Sequence, residues 1–315
     1  MTELNALVAL GRGLMDRGYE FVTPTPLTHS RVNARRASST TPSLRDVFGW
    51  SRPSPPGLIP AELIGLMEHA GILEHRGAMV ASRLRFSTLD GLIFAHSAYP
   101  TTASDSVFFG PDTYRFAAAV RRSVAADPPP RAILDIGCGS GAGGIVAAHR
   151  AGNRPFLVLS DINRAALKLA RVNAALAGVA ACCVAGDVCA PIAAGQRFDL
   201  IVANPPYLVD PEHRLYRDGG GPLGAALSLR ILREAIGLLM PGGRLVLYTG
   251  AAIIGGRDPF RDETTAILQE AGLAHDYAEL DPDVFGEELE AGPYRNAERI
   301  AAVALTARAR PESDI

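Results

Sequence analysis

The tetrapeptide Asn204-Pro205-Pro206-Tyr207 places two hydrogen-bond acceptors and an aromatic ring on a rigid stretch of backbone. The Asn204 side-chain oxygen and the Pro205 carbonyl can each accept one N–H group, and consecutive prolines fix φ and hold these acceptors in place. Tyr207 offers a flat face for a planar group. An amide or aromatic amine nitrogen needs such acceptors, because its lone pair is delocalised and must be oriented before it can attack. We predict that the catalytic residues are Asn204, Pro205, Pro206 and Tyr207.

A glycine-rich loop upstream predicts a cofactor site. The run from Asp135 to Gly141 (Asp-Ile-Gly-Cys-Gly-Ser-Gly) lies at an expected strand-to-helix turn, where glycines let the backbone bend sharply and approach a ligand. A tight turn or a nicotinamide-cofactor loop is an alternative, but the latter fingerprint is Gly-x-Gly-x-x-Gly without a preceding acid. Asp135 is unfavourable beside a pyrophosphate and suits the cationic amino-acid group of a sulfonium cofactor. We interpret Cys138 as a small residue that fills the loop rather than as a nucleophile.

Two further acids follow the next two expected strands. Asp161 ends the run Leu159-Ser160-Asp161, where an acid commonly accepts hydrogen bonds from ribose hydroxyls. Asp187 follows the third strand and can meet an adenine amino group, although an acid at that position is often only a cap. Three acids at successive strand ends are far more specific than any one of them, and with the glycine loop they favour a sulfonium cofactor over a dinucleotide. The candidate cofactor-binding residues are Asp135, Gly137, Cys138, Gly139, Gly141, Asp161, Ile162, Asp187, Val188 and Asn204.

These residues need a sheet that brings successive strand ends together. Short apolar runs alternate with helical patterns from residue 131 onward. Such alternation predicts an α/β fold with a doubly wound, seven-stranded, Rossmann-like sheet. The strands are predicted over 132–135, 156–159, 198–202, 244–248, 275–280 and 298–306, with a further one before Asp187, and the helices over 142–151, 163–177, 222–239 and 260–272.

The run Asp127-Pro128-Pro129-Pro130 marks an expected boundary between two domains. We predict an N-terminal substrate-recognition module over residues 1–125, with a smaller α+β fold, and a catalytic domain over residues 126–315. The module's pattern predicts a helix over 4–15, a helix over 60–67 and loop in part of the stretch 23–56. It also predicts a hairpin whose strands, over 79–86 and 92–95, flank the turn Leu89-Asp90-Gly91.

Composition restricts the class of protein. The net charge of −2 gives no global attraction to nucleic acid, and no apolar run is long enough to cross a bilayer. The N-terminus lacks the features of a secretory signal, so we expect a cytoplasmic protein. The four cysteines show no metal-ligand spacing, and we expect no metal site.

Taken together, the glycine loop and the acids resemble the class I S-adenosylmethionine-dependent methyltransferases over roughly residues 130–305. Asn-Pro-Pro-Tyr occurs both in adenine-amino methyltransferases of DNA and RNA and in the HemK-like glutamine methyltransferases that modify release factors. Residues 218–224 (Asp-Gly-Gly-Gly-Pro-Leu-Gly) resemble a HemK-like segment. Residues 107–113 resemble another, whose Pro-Asp-Thr opens a helix beside the cofactor, and this likeness implies that Thr113 binds cofactor. Gly110 and Tyr114 stand where that family usually has Arg and an acid.

The resemblance implies methylation of a protein glutamine amide, with a release factor as the partner. The alternative is an adenine-amino methyltransferase acting on RNA or DNA, and a remote alternative is a cofactor-binding scaffold without turnover. A run of arginines, at positions 31, 35, 36, 45 and 52, can support RNA binding, but such a run is more often a solvated loop.

Overall fold

The fold is taken from a computed structural model, which describes residues 1–35, 43–290 and 292–311. Arg36 of the arginine run therefore lies outside the described residues. The N-terminal part begins with four helices, followed by two antiparallel strand pairs. Its elements are α1 (Glu3–Met15), α2 (Pro26–Ala34), α3 (Leu44–Phe48), α4 (Ala61–His69), β1 (Leu73–Arg76), β2 (Met79–Ser82), β3 (Leu84–Leu89) and β4 (Leu92–Ser97).

The β3–β4 hairpin confirms the prediction from the sequence. Its turn residues Asp90 and Gly91 both have positive φ, +58° and +79°. Two consecutive residues with positive φ match the right-handed twist of the flanking strands, and this makes Asp-Gly a strong hairpin signal. The predicted helices over 4–15 and 60–67 are also present. The predicted first strand of the hairpin, over 79–86, is wrong in its first half, because residues 79–82 form β2 and pair with β1, whereas β3 begins at Leu84. The β1–β2 pair was not predicted, because its strands have only four residues each.

Helix α5 (Pro111–Ala126) connects the hairpin to the central sheet. It begins with Pro at its first position, where the missing N–H costs nothing. The Thr113 hydroxyl accepts a hydrogen bond from the Gly110 N–H at 3.2 Å and caps the helix. Phe116 and Val120 of α5 are buried in the core beneath the sheet.

The central sheet has seven strands in the order β10-β11-β9-β8-β5-β6-β7, as the predicted fold class requires. Strands β5 to β9 run parallel, and β11 pairs antiparallel with β9 and β10. The elements are β5 (Ala132–Ile136), α6 (Ala142–Ala151), β6 (Phe156–Asp161), α7 (Arg164–Leu176), β7 (Cys182–Ala185), β8 (Phe198–Ala203), α8 (Ala226–Ile236), β9 (Leu239–Ile253), α9 (Pro259–Glu270), β10 (Ala274–Asp281) and β11 (Arg299–Arg308).

The strand order fixes where a ligand can bind. From β5 the chain moves outward through β6 and β7, and then returns to place β8 on the other side of β5. Ligands of open α/β sheets bind at the carboxyl ends of the strands at such a reversal. The loops after β5 and β8 therefore meet at the expected binding site.

Helix α8 is shorter than the sequence predicts. The pattern gave a helix over 222–239, whereas α8 spans 226–236. Gly224 has a φ of +74°, a conformation that no helix residue adopts, so the chain enters α8 only after it. Strand β9 starts at Leu239, so the last predicted helical residue belongs to the sheet.

The N-terminal part packs directly on α7. Leu169 and Val172 of that helix belong to the same core cluster as Leu7 and Leu63 of α1 and α4. The division into modules of residues 1–125 and 126–315 stays a prediction. Within the described part of the chain, no helix is both long and apolar enough for a membrane span.

Candidate functional site

The glycine loop between β5 and α6 has the backbone shape that its sequence predicts. Gly137 and Gly139 have φ values of +63° and +53°, and an added Cβ at either residue would meet no atom within 4 Å. Both glycines therefore border open space, and a ligand can approach their backbone. The backbone N–H of Cys138 donates to the Ser160 carbonyl at 2.9 Å, which ties the loop to β6. Burial raises the pKa of the Cys138 thiol, as expected for a residue that fills the loop.

Asp161 lies at the end of β6, beside the glycine loop. Its Oδ2 accepts from the Gly139 N–H at 2.8 Å, and its Oδ1 accepts from the Asn163 N–H at 2.8 Å. Each carboxylate oxygen can accept a second hydrogen bond, so a ribose hydroxyl can still bind. The neighbouring Ile162 side chain is 57% exposed, although it is apolar. An exposed aliphatic side chain beside a hydroxyl-binding acid suits a flat nucleoside base.

Asp135 lies beneath the loop and is 1% exposed. Its Oδ2 accepts from the Gly144 N–H in the first turn of α6 at 2.8 Å. Burial raises the pKa of this carboxyl to about 7. A cation at the loop would stabilise its charged form, so the geometry is compatible with the predicted role, which stays a prediction.

Asp187 and Val188 follow β7 at the rim of the site. The Asp187 side chain is 51% exposed, and Arg230 of α8 donates to its carboxylate at 2.8 Å. Val188 is buried and has a φ of +48°, an uncommon conformation for a β-branched residue. The predicted contact of Asp187 with adenine stays a prediction, and the structure adds Arg230 as a partner that the sequence did not indicate.

Asn204 stands directly after β8, at the strand reversal opposite the glycine loop. It is partly exposed, and its side chain makes no hydrogen bond to any other residue that the structure describes. The Asn204 oxygen is therefore free to accept an N–H group from a ligand.

Tyr207 is held at both ends of its side chain. Its hydroxyl donates to Asp112 Oδ2 at 2.7 Å, and its ring lies directly against Gly250 of β9. A Cβ at position 250 would come within 2.3 Å of the Tyr207 Cδ2 atom, so only glycine fits. The ring is 6% exposed, and its predicted stacking with a planar acceptor stays a prediction.

The backbone of the tetrapeptide is clamped by the glycine segment that follows it. A Cβ at Gly219 would lie 2.7 Å from the Pro206 carbonyl oxygen, and one at Gly224 would lie 2.1 Å from that of Tyr207. The Gly219 N–H donates to the Leu208 carbonyl at 2.7 Å. The segment therefore needs its glycines because it touches the backbone of Pro206 and Tyr207.

Sequence reasoning missed three residues of this site: Asp112, Tyr248 and Gly250. Asp112 lies in the quoted Pro-Asp-Thr motif, but only Thr113 was singled out there. Thr113 is 5% exposed and caps α5, and its predicted contact with cofactor stays a prediction. Tyr248 and Gly250 carry no local signal, because β9 reads as an ordinary strand.

Comparison with known proteins adds to this geometry. Residues 120–251 match the family described as Methyltransferase small domain. The release factor glutamine methyltransferase of Moorella thermoacetica is 40% identical over 132 residues, which cover 38% of this chain and 46% of that protein.

Residues 120–251 resemble a HemK-like class I methyltransferase domain.

Other proteins resemble the methyltransferase domain less specifically. The ribosomal RNA small subunit methyltransferase C of Hamiltonella defensa is 34% identical over 119 residues, covering 38% of this chain and 32% of that protein. A solved structure, a putative SAM-dependent methyltransferase from Streptococcus mutans, has a TM-score of 0.50 at 12% identity, with 78% of this chain and 64% of that chain covered. This last likeness shows the fold alone. The chain spans about half the length, or less, of these curated relatives.

S-adenosylmethionine is the cofactor of class I methyltransferase domains, and the residues of this site fit it. Gly137 and Gly139 leave open space beside the loop, Asp161 offers acceptors for ribose, and Ile162 presents an exposed apolar surface. Asp135, beneath the loop, stays the predicted source of negative charge for a cationic amino-acid group. The predicted cofactor is therefore compatible with the geometry as well as with the family.

Proposed function

We propose that this protein is an S-adenosylmethionine-dependent methyltransferase that methylates a glutamine side-chain amide of a protein partner, a translation release factor, in the cytoplasm. The observation that carries the proposal is the unpartnered Asn204 side chain at the strand reversal, opposite the glycine loop of the methyltransferase domain. The name of the Moorella relative supports the choice of acceptor.

The chain's own residues provide the positioning. The Asn204 oxygen and the Pro205 carbonyl accept the two N–H groups of the glutamine amide, and this turns the nitrogen lone pair toward the cofactor site. The cofactor supplies an electrophilic methyl group on a sulfonium. Well-oriented reactants gain on the order of 7–11 kcal/mol over the same groups free in solution. The nitrogen loses one proton to solvent after transfer, so no residue is required to act as a base.

The surroundings of Tyr207 favour a protein over a nucleic acid. Phe285 packs against the Tyr207 ring with centroids 5.8 Å apart, and its segment carries the exposed acids Asp283, Glu287 and Glu290. A nucleic-acid site needs cations for phosphates, because phosphate contacts supply most of the affinity.

Three of the arginines next to this segment are already paired. Arg115 binds Asp281, Arg214 binds Asp210, and Arg217 binds Glu288. Their charges are largely neutralised, so they offer little to a phosphate backbone. The rim of the site therefore supports a protein acceptor.

A methyl-transfer assay with radiolabelled S-adenosylmethionine tests the proposal. The acceptors are purified release factors, each also as a variant with its modified glutamine replaced by alanine, and bulk tRNA, ribosomal RNA and DNA. We expect label in a release factor and none in its glutamine variant. Label in nucleic acid alone would overturn the proposal, and recovery of that label in N6-methyladenine would establish the adenine-amino alternative. Cofactor binding without transfer to any acceptor would indicate a scaffold.

Two asparagine variants complete the test. Asn204→Ala should abolish transfer, because it removes one of the two acceptors. Asn296→Ala removes an exposed asparagine elsewhere in the chain and should leave transfer unchanged. Equal activity of the two variants would contradict the role of Asn204.

A further inference from the structure

We propose that Asp112 is a positioning residue for the tetrapeptide, and that it acts through the Tyr207 hydroxyl. Asp112 is 5% exposed and lies at the second position of α5. Among the residues of the tetrapeptide and the glycine loop, Tyr207 is the one with which Asp112 forms a hydrogen bond in the described part of the chain. The role of Asp112 concerns the same site as the proposed function and rests on it.

Both carboxylate oxygens of Asp112 are used. Oδ2 accepts from the Tyr207 hydroxyl at 2.7 Å, and Oδ1 accepts from the Tyr248 hydroxyl at 2.7 Å. Arg115, one helical turn later, donates to Oδ1 at 3.1 Å and also pairs with Asp281 at 2.5 Å. Hydrogen bonds to a charged carboxylate are shorter and stronger than those between neutral groups. Asp112 therefore joins α5 to β9 and the tetrapeptide, and Arg115 extends the network to Asp281 at the end of β10.

The position on α5 suits a charged carboxylate. The first turn of a helix has free N–H groups and a partial positive charge, which stabilise an acid there. Burial raises the pKa of both Tyr207 and Tyr248, so the two phenols stay protonated and act as donors. Both tyrosine hydroxyls therefore act as donors, and the Asp112 carboxylate accepts from both.

The hydroxyl of Tyr207 controls the acceptors because little freedom lies between them. Two prolines precede Tyr207, and each has a fixed φ. Gly224 packs closely against the Tyr207 carbonyl group, and Gly250 packs against the Tyr207 ring. Once the hydroxyl is fixed, the Pro205 carbonyl has few alternative orientations. Loss of this anchor should therefore misplace an acceptor without removing one.

The replacement Asp112→Asn tests this inference. An amide keeps one acceptor oxygen and cannot accept from both phenols, so we expect kcat for methyl transfer to fall by about 10- to 100-fold, the range produced by misplacement of about 1 Å. The KM for S-adenosylmethionine should stay within about twofold, since the cofactor residues are untouched. Asp262→Asn is the matched control, because Asp262 is also an acid in the first turn of a helix and pairs with Arg257.

A double variant separates positioning from a general structural effect. In a Tyr207→Phe background the hydroxyl is already absent, so Asp112→Asn should lower kcat by much less than it does in the wild type. Arg115→Gln, at a partly exposed site, should lower kcat in the same direction by a smaller factor and provides the test where Asp112→Asn fails to fold. Additive losses, or equal losses in kcat and in cofactor affinity, would overturn the inference.

A measurement without turnover distinguishes failure of this inference from failure of the proposed function. With 3-fluorotyrosine at position 207, the fluorine resonance should shift or split in Asp112→Asn and remain unchanged in Asp262→Asn. An unchanged resonance in both variants would overturn the role of Asp112, whatever the acceptor. Absence of transfer by the wild type, with a shifted resonance, would overturn the proposed function alone.

Discussion

Replacement of Asn173 by alanine should weaken both the fold and the cofactor site. Asn173 lies on α7 and is fully buried. Its Oδ1 accepts from the Ala95 N–H at 2.7 Å, and its Nδ2 donates to the Ala95 carbonyl at 3.0 Å and to the Ser140 carbonyl at 2.9 Å. One side chain therefore holds the β3–β4 hairpin and the glycine loop together.

The magnitude follows from the groups that alanine would leave unpaired. One buried N–H and two buried carbonyls would lose a partner, and each unsatisfied group costs about 1–3 kcal/mol. Three such groups would total about 3–9 kcal/mol. Because single substitutions rarely cost more than about 4–5 kcal/mol, we expect the free energy of unfolding to fall by about 3–5 kcal/mol. Because the Ser140 carbonyl belongs to the glycine loop, affinity for S-adenosylmethionine should also fall.

Urea denaturation followed by circular dichroism measures the first effect, and isothermal titration calorimetry measures the second. Asn296→Ala, at an exposed position, should change the free energy of unfolding by less than about 0.5 kcal/mol. If Asn173→Ala lost less than about 1 kcal/mol, the three hydrogen bonds would not be a main link between hairpin and loop, and the reasoning would be refuted.

Two further predictions concern the tetrapeptide and the glycine loop. Gly224→Ala should abolish methyl transfer and lower the thermal unfolding midpoint. The φ of +74° is strained for alanine, and a Cβ would lie 2.1 Å from the Tyr207 carbonyl oxygen. A fully active, stable variant would show that the close packing of Gly224 on Tyr207 is not required. Burial raises the pKa of Asp135 to about 7, so its carboxyl is mainly neutral below that pH and mainly charged above it. Affinity for the cationic cofactor, measured by calorimetry, should thus increase as the pH rises through 7 and then level off. The Asp135→Asn variant should lose this pH dependence. An affinity of the wild type that does not change with pH would contradict the contact between Asp135 and the cofactor's amino group.

Local patterns in the sequence sufficed for the strands of the central sheet, for most helices and for the turn of the β3–β4 hairpin. Gly141 and Gly152 flank α6 with positive φ, and the predicted helix over 142–151 has these bounds. The Asp90-Gly91 turn set the β3–β4 pairing for the same reason, since two residues of suitable conformation determine the loop. Such features depend on neighbours in the chain, so a single sequence contains the information.

The contacts that hold the tetrapeptide depend on distant residues and could not be read from local patterns. The Asp112–Tyr207 hydrogen bond spans 95 positions, and the Asp112–Tyr248 bond spans 136. Neither residue type signals its partner, because an acid in a first helical turn and a tyrosine in a strand are both common for other reasons. The catalytic residues could be proposed from their chemistry, whereas their support required the packing of α5 against β9.

The contact between Tyr207 and Gly250 links the evolution of two positions. A side chain at 250 would occupy the space of the Tyr207 ring, with a Cβ only 2.3 Å from Cδ2. A descendant chain that gains even a methyl group at position 250 must therefore have a smaller side chain at position 207. The two substitutions can be fixed only together, or with the smaller residue at position 207 first. The same contact offers an engineering route. Replacement of Tyr207 by a smaller residue opens a cavity beside Gly250 that can accommodate a bulkier acceptor, whereas natural acceptors lose the ring on which they are proposed to stack.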